Sequence, residues 1–115
     1  MSAPFPFPCP ACGFLVFDEP PGSFDICPVC GWEDDLVQLR APGYRGGANG
    51  PSLFEWQAQV ALARAPAGID RLRGFRREAG WRPLVESEAV REPPTARAGH
   101  EGFEIYYWRR FSTAG

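Results

Sequence analysis

Cys9-Pro10-Ala11-Cys12-Gly13 and Cys27-Pro28-Val29-Cys30-Gly31 are two C-P-x-C-G segments, with fourteen residues between Cys12 and Cys27, and they hold every cysteine of this 115-residue chain. Two thiolates three positions apart can reach one ion from a tight turn. Two such turns supply the four sulfurs that a tetrahedral Zn2+ takes at about 2.3 Å. In each segment Pro follows the first cysteine and Gly the second. That composition suits a turn that curls backbone N–H groups toward sulfur and then needs positive φ. Cys9, Cys12, Cys27 and Cys30 are therefore the expected metal ligands, with one structural zinc as the expected occupant. Paired disulfides are the competing reading. Met1 to Pro8 has no basic residue and no apolar run, so no secretory leader is expected, and a reducing cytoplasmic setting disfavours disulfides.

Outward from the knuckles, Phe14-Leu15-Val16-Phe17 and Phe24-Asp25-Ile26 flank a turn-rich Asp18-Glu19-Pro20-Pro21-Gly22-Ser23. We read this as a hairpin that reverses at Pro20–Gly22 and brings both knuckles to one end. Ser52-Leu53-Phe54-Glu55 is a capping-box signature, and Leu53, Trp56, Val60 and Ala63 recur at helical spacing until Pro66. A helix is expected there, with Trp56 as a packing residue. A second helix is expected over Ile69–Ala79, where Ile69, Leu72 and Phe75 share a face and Gly80 follows as a cap. Arg82 to Arg97 reads as a connection with at most a short strand or helical turn in Leu84–Val90. Phe103-Glu104-Ile105-Tyr106-Tyr107-Trp108 reads as a C-terminal strand. The expected fold is a small α+β domain: a zinc-ribbon or rubredoxin-like hairpin with two cysteine knuckles, one or two helices and a final strand. The length fits one domain over residues 1–115, with a core at 8–65 and an addition at 66–115.

Charge is distributed unevenly. Residues 1–40 carry six acidic side chains against Arg40, a balance of −5, and residues 41–115 carry eight acids against eleven arginines, a balance of +3. Four metal-bound thiolates make the first half more negative still, which disfavours a ribbon that grips phosphate backbones. All twelve basic side chains are arginine, which codon bias toward arginine accounts for without a phosphate-binding role. The longest apolar stretch, Phe14–Phe17, is too short to span a bilayer.

The run Cys9-Pro10-Ala11-Cys12-Gly13, Glu19 through Cys30, Trp32-Glu33-Asp34-Asp35, Gly46-Gly47-Ala48-Asn49 and Ser52-Leu53 resembles the bacterial cysteine-rich CPCC family over roughly residues 8–65. The resemblance implies a zinc-ribbon-like domain and brings no reaction with it. Ala11 stands where the family's name-giving motif has a further cysteine, so no chemistry of that extra thiol operates in this chain.

Other residues carry weaker expectations. Glu33, Asp34 and Asp35 concentrate negative potential and are a candidate interaction surface or second cation site, although adjacent carboxylates point apart unless a turn converges them. The loop Gly46–Asn49 is either an anion-binding nest ahead of a helix or a turn that needs positive φ, and it lacks the Lys-Ser/Thr ending of a P-loop. His100 has no evident catalytic partner and reads as a surface residue. Four cysteines close the coordination shell, and neither a serine nucleophile elbow nor a His-Glu zincin motif is present, so no enzyme is expected. The expected role is a structural zinc domain that binds another protein, with an immunity or regulatory task conceivable. A rubredoxin-like one-electron carrier with iron in the same site is the first alternative. A nucleic-acid-binding ribbon using the arginines of residues 64–82 is the second.

Overall fold

A computed structural model describes residues 5–92 and 104–110. Its first feature follows from the C-P-x-C-G chemistry. In each knuckle the first cysteine's N–H donates to the carbonyl five residues on, and the glycine N–H returns to the first cysteine's carbonyl. The bonds are Cys9 N to Phe14 O at 2.9 Å with Gly13 N to Cys9 O at 2.6 Å, and Cys27 N to Trp32 O with Gly31 N to Cys27 O, both at 2.9 Å. The same local bonding is thus built twice. Gly13 and Gly31 take φ of +80° and +87°, the left-handed conformation that closes each turn. A Cβ on Gly13 would also lie 2.5 Å from the Trp81 ring, so this position is closed to any larger residue.

The strands pair differently from the expectation. Phe14–Phe17 does not pair with Phe24–Ile26. Strand β1 (Phe7–Pro8) pairs antiparallel with β2 (Leu15–Phe17) around the first knuckle. Phe24–Ile26 pairs with Trp32–Asp34 around the second, through Phe24 N to Asp34 O at 3.0 Å, Asp34 N to Asp25 O at 2.9 Å and an Ile26–Glu33 bridge. The physical reason is the turn bonding above, which already fixes the register of the chain entering and leaving each knuckle. Pro20–Gly22 is a crossing between two small hairpins.

Helix α1 (Leu36–Arg40) was not expected. Asp35 caps it by accepting from Gln38 N at 3.1 Å. The expected helix after Ser52 is present as α2 (Leu53–Trp56), a π-helical turn at Gln57–Ala61, and α3 (Leu62–Arg64), with both bonds of the Ser52–Glu55 capping box in place. The wider π turn rotates the inward face. Leu53, Gln57, Ala61 and Ala65, spaced by four, are fully buried, while Ala63 is exposed and Trp56 and Val60 are only half-buried.

The second helix, expected over Ile69–Ala79, is a β-hairpin: β3 (Arg71–Leu72) pairs with β4 (Phe75–Arg76). Arg73 and Gly74 between them have φ of +55° and +88°. Two central residues with positive φ form the reversal that matches the twist of a two-residue hairpin, and they interrupt any helix. The C-terminal strand is likewise not formed among the described residues. Tyr107–Arg109 is a turn of 3-10 helix, and Phe103 lies outside those residues. Leu84–Val90 contains one 3-10 turn at Glu86–Glu88.

One core joins the two halves. Cys9, Cys12, Cys27 and Cys30 lie in the same buried cluster as Trp32, Phe14, Leu39, Leu53, Leu84, Tyr106 and Tyr107. Gln57 ties the parts together: its Nε2 donates to Pro10 O at 3.1 Å and to the Tyr107 hydroxyl at 2.9 Å, and its Oε1 accepts from Leu84 N at 2.8 Å. Glu78 holds the 104–110 segment, accepting from Trp108 Nε1 at 2.6 Å and Arg109 Nε at 2.9 Å. Burial works against the Glu78 carboxylate, but the hydrogen bonds from Arg109 and Trp108 hold it below the usual carboxylate range. A carboxylate with a depressed folded pKa contributes stability above its unfolded value, near 4.3, and loses it as pH falls through the folded value. Glu78→Gln at neutral pH is accordingly expected to raise amide exchange at Arg109 and Arg110 about fivefold. That factor corresponds to about 1 kcal/mol, kept small because Arg109 is partly exposed. Unchanged exchange at those two amides would show that the segment does not depend on Glu78.

Candidate metal centre

The two knuckles place four sulfurs at one point. Cys9 Sγ is 3.8 Å from Cys30 Sγ, Cys12 Sγ is 3.7 Å from Cys27 Sγ, and all four lie within 4.8 Å of one another. A regular tetrahedron with metal–sulfur bonds of 2.3 Å has edges of about 3.8 Å. Both of these pairs run between knuckles, and both separations are far beyond the roughly 2.05 Å of a disulfide bond. The four cysteines are free thiols and all are buried. The residues present therefore fit a tetrahedral thiophilic cation.

The electrostatics of the cluster point the same way. Burial pushes the Cys9 thiol well up, reinforced by its three sulfur neighbours. Cys12 is pushed up by the hydrogen bonds it shares with Cys27 and Cys30. Cys27 is drawn down by hydrogen bonds from Cys12, Cys30 and Cys9 and from the Cys30 backbone N–H. Backbone N–H groups of Val29 and Cys30 lie 3.3 and 3.4 Å from Cys27 Sγ. Cys9 and Cys12, buried without a cation, keep protons that they must give up when one binds.

Three arginines ring the site, a use that the codon-bias reading overlooked. Arg64 Nη1 donates to Cys30 O at 3.1 Å, and Arg73 Nη1 to Pro28 O at 2.9 Å. Arg77 Nε donates to Cys12 O at 2.8 Å, and its other nitrogens reach the carbonyls of Ala65, Pro66 and Ile69 at 2.7–3.0 Å. Arg77 is buried, stacks 4.6 Å from the Phe14 ring centroid and 4.7 Å from that of Trp81, and has no carboxylate partner among the described residues. The usable sequence signal was weak: Arg77 sits in the run Arg76-Arg77-Glu78, where nothing marks one arginine as buried.

The acidic run does not form the candidate surface. Asp34 and Asp35 are 2% and 6% exposed, and only Glu33 is half-buried. Asp34 Oδ2 accepts from the Ser23 hydroxyl at 2.7 Å and from Ser23 N at 3.2 Å, while burial raises its pKa against that pull. Asp35 caps α1 through Oδ1 and accepts from Ala48 N at 2.8 Å through Oδ2. The Asp34 and Asp35 carboxylates serve different partners, and both are structural. The nest reading of Gly46–Asn49 is corrected for the same reason. Ala48 N goes to Asp35, Asn49 N to Gln38 Oε1 at 3.1 Å and Gly46 N to Gly50 O at 3.0 Å, which leaves these donors turned inward. The Asn49 side chain imitates a strand neighbour, accepting from Glu33 N and donating to Glu33 O, both at 2.9 Å. Gln38 closes the loop from within, donating to the carbonyls of Tyr44, Asn49 and Pro51. Asp35-x-x-Gln38 is itself a capping signature, and it is the signal that would have revealed this arrangement. His100 lies outside the described residues.

Residues 7–77 match the Cysteine-rich CPCC family, and the chain belongs to that family. Ala11, at the place of the name-giving extra cysteine, is fully buried, and the set of four sulfurs is complete without it. A search of curated proteins found no match. No helix among the described residues is long and apolar enough to cross a membrane.

Proposed function

We propose that this protein is a structural zinc domain whose task is to bind another protein. The observation that carries the reading is the set of four buried sulfurs, all within 4.8 Å of one another and part of the same buried cluster as the core. A filled shell of four thiolates leaves no open position for a substrate or an activated water, so the ion's contribution is to the fold. Phe24 and Ile26, on the segment that enters the second knuckle, are 57% and 63% exposed, and Phe24 is held at φ +63°. A bulky residue kept in the left-handed region and turned to solvent is the kind of local cost that a binding surface accounts for. Three of the arginines of residues 64–82 that a nucleic-acid reading draws on, Arg64, Arg73 and Arg77, direct donors at knuckle carbonyls, which weighs against that reading.

Elemental analysis of untagged protein, with a visible spectrum taken anaerobically, tests the assignment. One equivalent of zinc and no colour is expected. One equivalent of iron with thiolate-to-iron absorption would replace the reading by an electron carrier, since four thiolates accept either metal.

A further inference from the structure

Arg64 and Arg73 approach one turn from different elements. Arg64 belongs to α3 and bonds Cys30 O, and Arg73 lies at the tip of the β3–β4 hairpin and bonds Pro28 O. Their acceptors are two residues apart in the second knuckle. Both guanidinium groups therefore sit over the same few ångströms of backbone, where they line a cleft of about 360 Å³ together with Pro28, Val29 and Leu72. Each uses one nitrogen on the knuckle. Neither forms an ion pair among the described residues, so the remaining donors of both forks have no protein acceptor there.

Two like charges at one cleft, with unused planar donors and the apolar side chains of Pro28 and Leu72 beside them, call for an anionic group with an apolar neighbour. We propose that this cleft receives a carboxylate from an acidic, apolar peptide segment of a partner protein, a proposal that rests on the reading of the protein as an interaction domain. Guanidinium forks match a carboxylate in a bidentate fashion. Pro28 and Leu72 take the flanking aliphatic side chain. The apolar contacts select between anions: a peptide carboxylate brings a flanking aliphatic side chain to Pro28 and Leu72, and inorganic phosphate brings none.

The test is a backbone NMR titration of protein already shown to contain one equivalent of zinc, so that failure here is separable from failure of the metal assignment. The probes are a blocked tripeptide of leucine, glutamate and leucine, its glutamine counterpart, and inorganic phosphate. Saturable shifts confined to residues 28–31 and 72–74 are expected with the glutamate peptide alone. Arg64→Gln and Arg73→Gln should each weaken binding about tenfold or more, Arg64→Lys should weaken it despite keeping the charge, and Arg71→Gln, outside the cleft, should not change it. Zinc content and far-UV circular dichroism of each variant show that it is folded. Absence of saturable shifts, equal shifts with the glutamine peptide, or tighter binding of phosphate than of the glutamate peptide would each overturn the proposal.

Discussion

Cys12→Ser, or removal of the metal with a strong chelator, is expected to unfold the chain between Phe7 and Asp35 and to take most of the remaining tertiary structure with it. The strands around the first knuckle are two and three residues long, and the second knuckle is flanked by an isolated bridge. Fixing each residue costs about 1–2 kcal/mol of backbone entropy, and ladders this short return too little to offset it. A four-thiolate zinc site contributes about 10–16 kcal/mol of apparent binding free energy near neutral pH in small zinc domains. That figure equals or exceeds the whole net stability of an ordinary domain, about 5–15 kcal/mol. The loss cannot stay local, because the sulfurs lie in the same cluster as Trp32, Leu53 and Tyr107. Chelation should therefore abolish near-UV circular dichroism and shift the emission of Trp32, now fully buried, to the red. The sign of the pH dependence follows from the ligands. Metal binding displaces protons that burial and sulfur neighbours retain on Cys9 and Cys12, so affinity falls as pH falls and acid releases the metal. An apo protein with an unchanged near-UV spectrum would show that the fold stands without the ion.

The sequence made the four-cysteine cluster, its spacing and the helix after Ser52 legible because each rests on local chemistry. A C-P-x-C-G turn and a Ser-x-x-Glu box close their own hydrogen bonds within a few residues, whatever surrounds them. The strand pairing was misread because the same apolar tetrapeptide Phe14–Phe17 fits a pairing across Pro20–Gly22 or one across its own knuckle, and the turn bonding decides between them. Ile69–Ala79 carried a helical period, yet Arg73 and Gly74 at positive φ imposed a hairpin, and Gly74 in mid-segment was the available warning. The acidic run hid its role because its partners are remote: Ser23, Asn49 and Ala48 meet Asp34, Glu33 and Asp35 only after folding. Arg77 is the extreme case. Its four carbonyl partners lie 8 to 65 residues away, and no periodicity or spacing reports on such a contact.

Arg77→Met is expected to cost about 3–5 kcal/mol, the range for removing one member of a buried charged network and leaving its partners unpaired. Four backbone carbonyls, those of Cys12, Ala65, Pro66 and Ile69, lose their donors at once. Methionine keeps the apolar contact with Phe14 and Trp81 but loses the attraction of the cation to both rings, which lie under 5 Å from the guanidinium. A second effect concerns the ion. Burial draws the Arg77 pKa down and the attraction of a deprotonated Cys12 draws it back, so the cation offsets part of the charge of a metal-loaded cluster. Removing that charge leaves the −2 of the metal-loaded cluster less compensated. Arg77→Met should therefore release zinc to a competing chelator faster than the parent protein. Arg77→Lys separates the two contributions. It restores the positive charge, so zinc retention should recover most of the way, but an ammonium reaches at most a subset of the four carbonyls, so a stability deficit of about 2 kcal/mol should remain. Chemical denaturation of the metal-loaded proteins and chelator competition measure the two quantities independently. A methionine variant within about 0.5 kcal/mol of the parent, the usual span of a surface substitution, would mean that Arg77 does not hold the C-terminal segments to the first knuckle.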